Sequence, residues 1–169
     1  MVRNLLYGNC VKYLFLILML MTIVACGDSG RESQDTPVLT AATLGQQAVL
    51  PGAEYLAQEP YVAADRDNGE RLAYLCRACH SFARGGAHMI GPNLYGMFGS
   101  RAGGKAGFDY SEALLEADFV WTPRALDAWL AEPARFLPGN RMTIAGVSDP
   151  EDRRDVIAYL IEMTVESTN

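Results

Sequence analysis

Positive charge is scarce in this chain: 14 lysines and arginines stand against 20 aspartates and glutamates in 169 residues, a net charge of -6. Nucleic-acid binding rests on neutralising phosphates with Lys and Arg, so this balance argues against a nucleic-acid partner. Cysteine is also sparse, and poorly placed for structural disulfides. Cys10 and Cys26 lie within or at the edge of a signal-like N-terminal segment, whereas Cys76 and Cys79 are separated by two residues, so each pair needs its own explanation. The apolar run itself, Tyr13 to Ala25, falls short of the roughly 18 residues expected of a spanning helix. No internal repeat is present. What remains is enough chain for one modest domain with a small core.

Arg3 and Lys12 precede the apolar run, giving the charged and apolar regions of a secretory signal over residues 1–25; an uncleaved anchor is the alternative. The run ends Ile23-Val24-Ala25-Cys26-Gly27, which resembles the lipobox of bacterial lipoproteins. The resemblance implies cleavage before Cys26, lipidation of that cysteine and anchoring to a membrane by more than the two signals needed for stable attachment. Cys10 would leave with the signal. Loss of Arg3 and Lys12 leaves 12 basic against 20 acidic residues, or -8. Gly27 follows the cysteine and Asp28 comes next, which leaves inner and outer membrane undecided. Residues 26–64 hold scattered Ser, Thr, Gln, Pro and Ala with no sustained period and read as a flexible tether, with at most a short helical turn around Ala53 to Gln58.

The head, residues 65–169, reads as all-α: three main helices with long loops. The first helix is expected to begin near Asp67, where Asp67 and Glu70 stand at capping-box spacing, and to place Leu72, Cys76 and Cys79 on one face. Eight of the 16 glycines lie between Gly85 and Gly107, which predicts irregular loops passing close to something bulky. A short helix is expected from Ser111 to about Ala117. Thr122-Pro123 offers an N-cap and a first-turn proline for a second main helix, with Leu126, Trp129 and Leu130 inward and Pro133 ending it. Ser148-Asp149-Pro150-Glu151-Asp152 opens the last helix, whose buried stripe is expected to hold Val156, Leu160 and Met163.

Cys76-Arg77-Ala78-Cys79-His80 concentrates three chemical requirements in five residues. Two thiols one helical turn apart can add to the two vinyl groups of a haem, and the adjacent imidazole can point at its iron. A redox-active thiol pair would want a βαβ context, and a zinc site a second Cys or His pair; His88 is the one other histidine. The motif therefore predicts one covalent haem c. For the sixth iron position, Met89, Met97, Met142 and Met163 are the methionines beyond the signal. Met89 and Met97 follow His80 closely and Met163 suits core packing. Met142 follows the turn Pro138-Gly139-Asn140-Arg141, but methionine is also a common gap filler, so the residues alone leave it open.

From about Asn68 to Thr164 the sequence resembles the class I cytochromes c. The matching segments are Cys76 to His80, Gly85 to His88, Gly91-Pro92-Asn93-Leu94-Tyr95-Gly96-Met97-Phe98-Gly99, Phe108 to Ser111, Trp121, Pro138 to Met142 and Val156 to Leu160. The resemblance implies that His80 and Met142 are the axial ligands and that the Pro92 carbonyl accepts a hydrogen bond from His80. Tyr110 and Trp121 would bond a buried haem propionate, and His88 would be structural, bonded to backbone. Leu72 and Tyr159 would lie where the first and last helices cross. Two departures stand out: Trp129 replaces a tyrosine common near the methionine ligand, and Leu114 an asparagine, so the polar network beside Met142 is expected to be altered. Ser100-Arg101 leaves open whether Arg101 reaches a propionate. Lys105 is the one lysine beyond the signal, so the lysine ring used for docking by mitochondrial carriers is absent, with Arg135 and Arg141 as remnants.

The resulting expectation is an electron carrier, not an enzyme: a membrane-tethered, periplasm-facing cytochrome passing single electrons between redox proteins such as a quinol-cytochrome c reductase and a terminal oxidase. A haem enzyme or gas sensor with an open iron site is the competing reading, and a fixed subunit of a larger complex a third.

Overall fold

The computed structural model describes residues 39–165, all within a compact unit that spans Pro37–Asn169. The expected signal peptide and Cys26 lie outside the described residues. Six helices follow in order: α1 (Gly52–Leu56), α2 (Arg66–Arg77), α3 (Glu112–Glu116), α4 (Pro123–Ala131), α5 (Pro133–Phe136) and α6 (Pro150–Thr164), with a 3₁₀ turn at Tyr61–Ala63. Among the described residues there is no strand, only a single bridge between Arg101 and Val120. The all-α reading is correct, with α2, α4 and α6 as the three main helices.

Local chemistry explains most of the boundaries. The side chain of Thr122 accepts from Ala125 N at 3.1 Å to start α4, and Asp149 accepts from Glu151 N at 2.8 Å to start α6, each with proline in the first turn. Ser111 caps α3 through Leu114 N. α2 differs from expectation. Its cap is Asp65, whose carboxylate accepts from Asp67 N and Asn68 N at 3.0 Å each, so the helix starts before the proposed capping box.

α2 and α6 cross at Gly69, the one buried glycine of α2. A methyl group there would collide with the Asp155 carbonyl and come within 3.0 Å of Tyr159 Cβ. Around this crossing α6 is buried without interruption from Asp155 to Ile161. Met163 is 42 % exposed and does not belong to the core, contrary to expectation. The last turn of α6 lies past the α2 crossing, and there Thr164 is the buried residue, its hydroxyl bonded to Leu160 O at 2.6 Å.

The described part of the expected tether is also corrected. Residues 39–64 pack on the head: Leu44 is buried, Ala41 N donates to Phe136 O at 3.0 Å, and Gln47 Oε1 accepts from the Thr122 hydroxyl at 3.1 Å. The Tyr55 hydroxyl ties the preceding turn, accepting from Leu50 N and donating to Ala48 O. Outside the short α1 and the 3₁₀ turn, this segment has no period to read because turns and tertiary bonds hold it in place. The folded head therefore begins no later than Leu39.

Candidate functional site

α2 delivers the two thiols. Its last turn continues past Arg77 through Cys79 N to Cys76 O at 3.1 Å and His80 N to Cys76 O at 2.9 Å, so Cys76, Cys79 and His80 ride on one helical turn. Both cysteines are free and half-buried. Burial pushes the Cys76 thiol above its ordinary value, with its own backbone and the Arg77 guanidinium opposing the shift. That is the opposite of the lowered thiol pKa that redox pairs use. Among the described residues no cluster of three or more His, Cys, Asp or Glu could close a metal site.

His80 is built to present one nitrogen. Its Nδ1 lies 2.7 Å from the Pro92 carbonyl oxygen. A carbonyl can only accept, so Nδ1 carries the hydrogen and Nε2 keeps its lone pair. Burial depresses the pKa of His80, partly offset by that bond, which favours the neutral ring a metal needs. Gly91 makes the arrangement possible. A Cβ on Gly91 would sit 2.6 Å from Nδ1 and 2.7 Å from Nε2, and Gly91 N donates to Cys79 O at 2.8 Å. The loop thus lies flat against the imidazole because there is no side chain in the way.

Asn93 organises the same loop from a buried position. Its amide donates to the Ser81 hydroxyl at 2.7 Å and to Ala83 O at 2.9 Å, its Oδ1 accepts from Tyr95 N at 3.2 Å, and its backbone N–H donates to His88 Nδ1 at 3.0 Å. His88 therefore carries its hydrogen on Nε2, which donates to Ala106 O at 3.0 Å. Both ring nitrogens are engaged with backbone, as a structural histidine requires.

Met142 is half-buried at the end of a turn fixed by Asn140. The Asn140 amide donates to Pro133 O and Leu137 O at 2.8 Å each, and its Oδ1 accepts from Met142 N at 2.8 Å. The sulfur of Met142 accepts from Trp129 Nε1 at 3.1 Å. Trp129 meets Trp121 edge to face, with centroids 5.3 Å apart, and Trp121 in turn meets Phe119 at 4.9 Å. Tyr110 lies edge-on to Phe108 at 4.8 Å, its hydroxyl pKa raised by burial against the opposing Lys105 backbone. Arg141 pairs with Asp109, with Nη1 to Oδ2 at 3.2 Å. Arg101 donates to Ala117 O at 3.3 Å.

These features fit a covalently held haem: two free thiols on one turn, a histidine with one nitrogen free and a glycine cradle behind it, and an oriented thioether. Sequence reasoning gave roles to the thiols, His80, Pro92 and Met142, but quoted Gly91, Asn93 and Asn140 within segments without assigning them any. The close approach at Gly91 was signalled only by the richness of the loop in glycine.

No protein-family model matches the chain. It is 44 % identical over 103 residues to a cytochrome c of Chlamydomonas reinhardtii, covering 60 % of this chain and 92 % of that protein. It is 41 % identical over 100 residues to a cytochrome c2 of Agrobacterium tumefaciens, covering 57 % and 90 %, and 34 % identical over 113 residues to a cytochrome c2 of Rhodomicrobium vannielii, covering 67 % and 90 %. The fold and the thiol, histidine and thioether set define a c-type haem protein. The chain belongs to the class I cytochrome c family, and accordingly is an electron carrier and not an enzyme, with one covalent haem c and other redox proteins as its partners.

Proposed function

We propose that this protein is a lipid-anchored cytochrome that carries single electrons between respiratory redox proteins on the periplasmic side of a membrane. The observation that carries its chemistry is the 2.7 Å bond from His80 Nδ1 to Pro92 O, which leaves Nε2 as a fixed, neutral donor. Cys76 and Cys79 would hold the haem covalently, and His80 Nε2 and Met142 Sδ would hold its iron. When bound, the haem supplies a one-electron couple. The chain does the rest. Pro92 fixes the ring of His80, Asn140 fixes the backbone of Met142, and Tyr110 and Trp121 take the propionate. With His80 and Met142 both engaged by the haem, the chain would leave no open site for a small molecule, and the group would supply outer-sphere electron transfer. The donor and acceptor are redox proteins of the type of a quinol-cytochrome c reductase and a terminal oxidase.

The ligand assignment is tested on holoprotein made in a host with haem-attachment machinery. The oxidised form is expected to show a weak long-wavelength absorption band that Met142→Ala abolishes, and the reduced wild type to resist carbon monoxide at neutral pH. A wild-type spectrum without that band, or rapid stoichiometric carbon monoxide binding, would overturn it. The anchor rests on the Ile23-Val24-Ala25-Cys26-Gly27 run. Radiolabelled palmitate is expected to enter the wild type and not Cys26→Ala; equal labelling of the two would remove the lipid from the proposal. A tether of this kind raises the local concentration of partners in the same membrane.

A further inference from the structure

The segment ahead of α1 contains none of the haem-binding motifs, yet it is built into the head at several points. At its start, Ala41 N donates to Phe136 O at 3.0 Å. In its middle, Leu44 is 2 % exposed and shares one apolar cluster with Phe119, Trp129 and Phe136. Gln47 fixes its own side chain by donating from Nε2 to Leu44 O at 2.9 Å, which leaves Oε1 to accept from the Thr122 hydroxyl at 3.1 Å. Just beyond it, Gly52 lies so close to Val165 that an added Cβ would stand 2.8 Å from one of its methyl groups.

The elements gripped at Ala41 and Gln47 are those that carry Met142. α5 is a single turn, and a helix that short has little stability of its own in water. Its last carbonyls have no partner within the helix. They are shared out: Phe136 O is taken by Ala41, while Pro133 O and Leu137 O each accept from the Asn140 amide at 2.8 Å. Asn140 Oδ1 in turn accepts from Met142 N at 2.8 Å, so the contacts lead from Ala41 through α5 to Met142. The second grip is at α4. The Thr122 hydroxyl accepts from Ala125 N at 3.1 Å to cap that helix, so its one hydrogen is free to donate, and Gln47 receives it. α4 meets α5 through Trp129 and Phe136, edge to face at 5.9 Å between centroids.

We propose that residues 39–50 form a positioning strap for the sixth iron ligand: by gripping the end of α5 and the cap of α4, they hold the Met142 turn closed and keep external ligands off that face of the haem. The inference rests on Met142 as a ligand. Swinging the turn away requires α5 to move, and α5 cannot move far without breaking the Ala41 bond and drawing Leu44 out of the core. The packing of the strap is therefore part of the free energy of opening. An external ligand binds only the open form, so its apparent affinity scales with the open fraction. Loosening the strap raises that fraction and tightens binding by the same factor.

The test is an imidazole titration of the oxidised full-length holoprotein at pH 7, read by loss of the long-wavelength band, on wild type, Leu44→Ala, Gln47→Ala and Asp155→Asn. Leu44→Ala empties the buried anchor of the strap and Gln47→Ala releases Thr122. Asp155→Asn weakens the crossing of α2 and α6, where Asp155 is bonded to Asp65, Asn68 and Arg154 and not to the strap. Expected is a rise in apparent affinity of about tenfold or more in Leu44→Ala, about two- to tenfold in Gln47→Ala, and less than about twofold in Asp155→Asn despite its lower denaturant midpoint. Amide hydrogen exchange is the second readout: the Met142 N–H is expected to exchange faster in the strap variants by the same factors. Wild-type affinity and exchange in Leu44→Ala overturn the proposal while leaving Met142 as ligand, and so does a rise in Asp155→Asn as large as that of the strap variants. If Leu44→Ala does not fold, Gln47→Ala decides on the same criterion. A wild type that lacks the band overturns both the ligand assignment and this inference.

Discussion

A histidine that is to hold a metal must be neutral, oriented and approachable, and at the scale of single residues three neighbours arrange this for His80. Burial depresses its pKa, the Pro92 carbonyl fixes the tautomer, and Gly91 lets the loop lie against the ring. Gly91→Ala places a methyl group 2.6 Å from Nδ1, so either the imidazole rotates or the loop withdraws. Relief of such overpacking typically costs on the order of 1–3 kcal/mol. We expect a lower yield of covalent haem per protein and a holoprotein whose denaturant midpoint falls by that amount; a variant with wild-type yield and midpoint would show that the loop yields freely. The motif around His80 was legible because its chemistry demands fixed residue types within five positions. Gly91 was not, because its need arises from contact with a ring eleven residues earlier.

Between elements, the crossing of α2 and α6 depends on a polar cluster as much as on the glycine contact. Asp155 is 3 % exposed and accepts from Asp65 N at 3.0 Å, from Asn68 Nδ2 at 2.9 Å and from Arg154 Nε at 2.8 Å. Burial pushes its carboxyl up, but these donors outweigh it and hold the pKa below the ordinary value. A depressed carboxyl contributes stability that is complete above its unfolded pKa, about 3.9, and is lost as pH falls through the folded value. Asp155→Asn replaces an acceptor with an amide that faces three donors, and is expected to lose about 1–3 kcal/mol at pH 7. Its deficit against wild type should shrink as pH drops from 5 to 3, read by denaturant unfolding at each pH; a constant deficit would mean that the charge is not what the cluster uses. Sequence patterns located α4 and α6 through their caps and prolines, and α2 by its span but not by its cap. They mislocated the cap of α2 because Asp65 and Asp67 are equally good candidates until the chain's path is known. They placed Met163 inside because a stripe drawn from periodicity does not know where the crossing helix ends.

For the whole molecule, the distribution of charge decides how partners are met. The described surface beside the thiols is apolar: Leu75 is 73 % exposed, Ile90 82 % and Met89 49 %, and the Met89–Gly91 segment is bonded to Cys79 through Gly91 N. Arg77, the arginine between the two cysteines, is an exposed residue whose guanidinium lies 4.4 Å over the Phe82 ring and donates to the Tyr159 hydroxyl at 2.8 Å. With a net charge of -6, the full chain as a whole does not attract an acidic partner. Charge-steered association falls steeply as salt shortens the screening length, from about 30 Å at 0.01 M to about 8 Å at 0.15 M, whereas apolar contact is indifferent to it. The second-order rate constant for reduction by a quinol-cytochrome c reductase is therefore expected to change by less than about twofold over that range, or to rise as like charges are screened. A fall of about tenfold or more would place the docking face elsewhere, on a cationic surface. The proposed membrane tether would make this economy of charge workable, because confinement to the partner's own surface would supply the encounter frequency that long-range attraction gives a freely diffusing carrier.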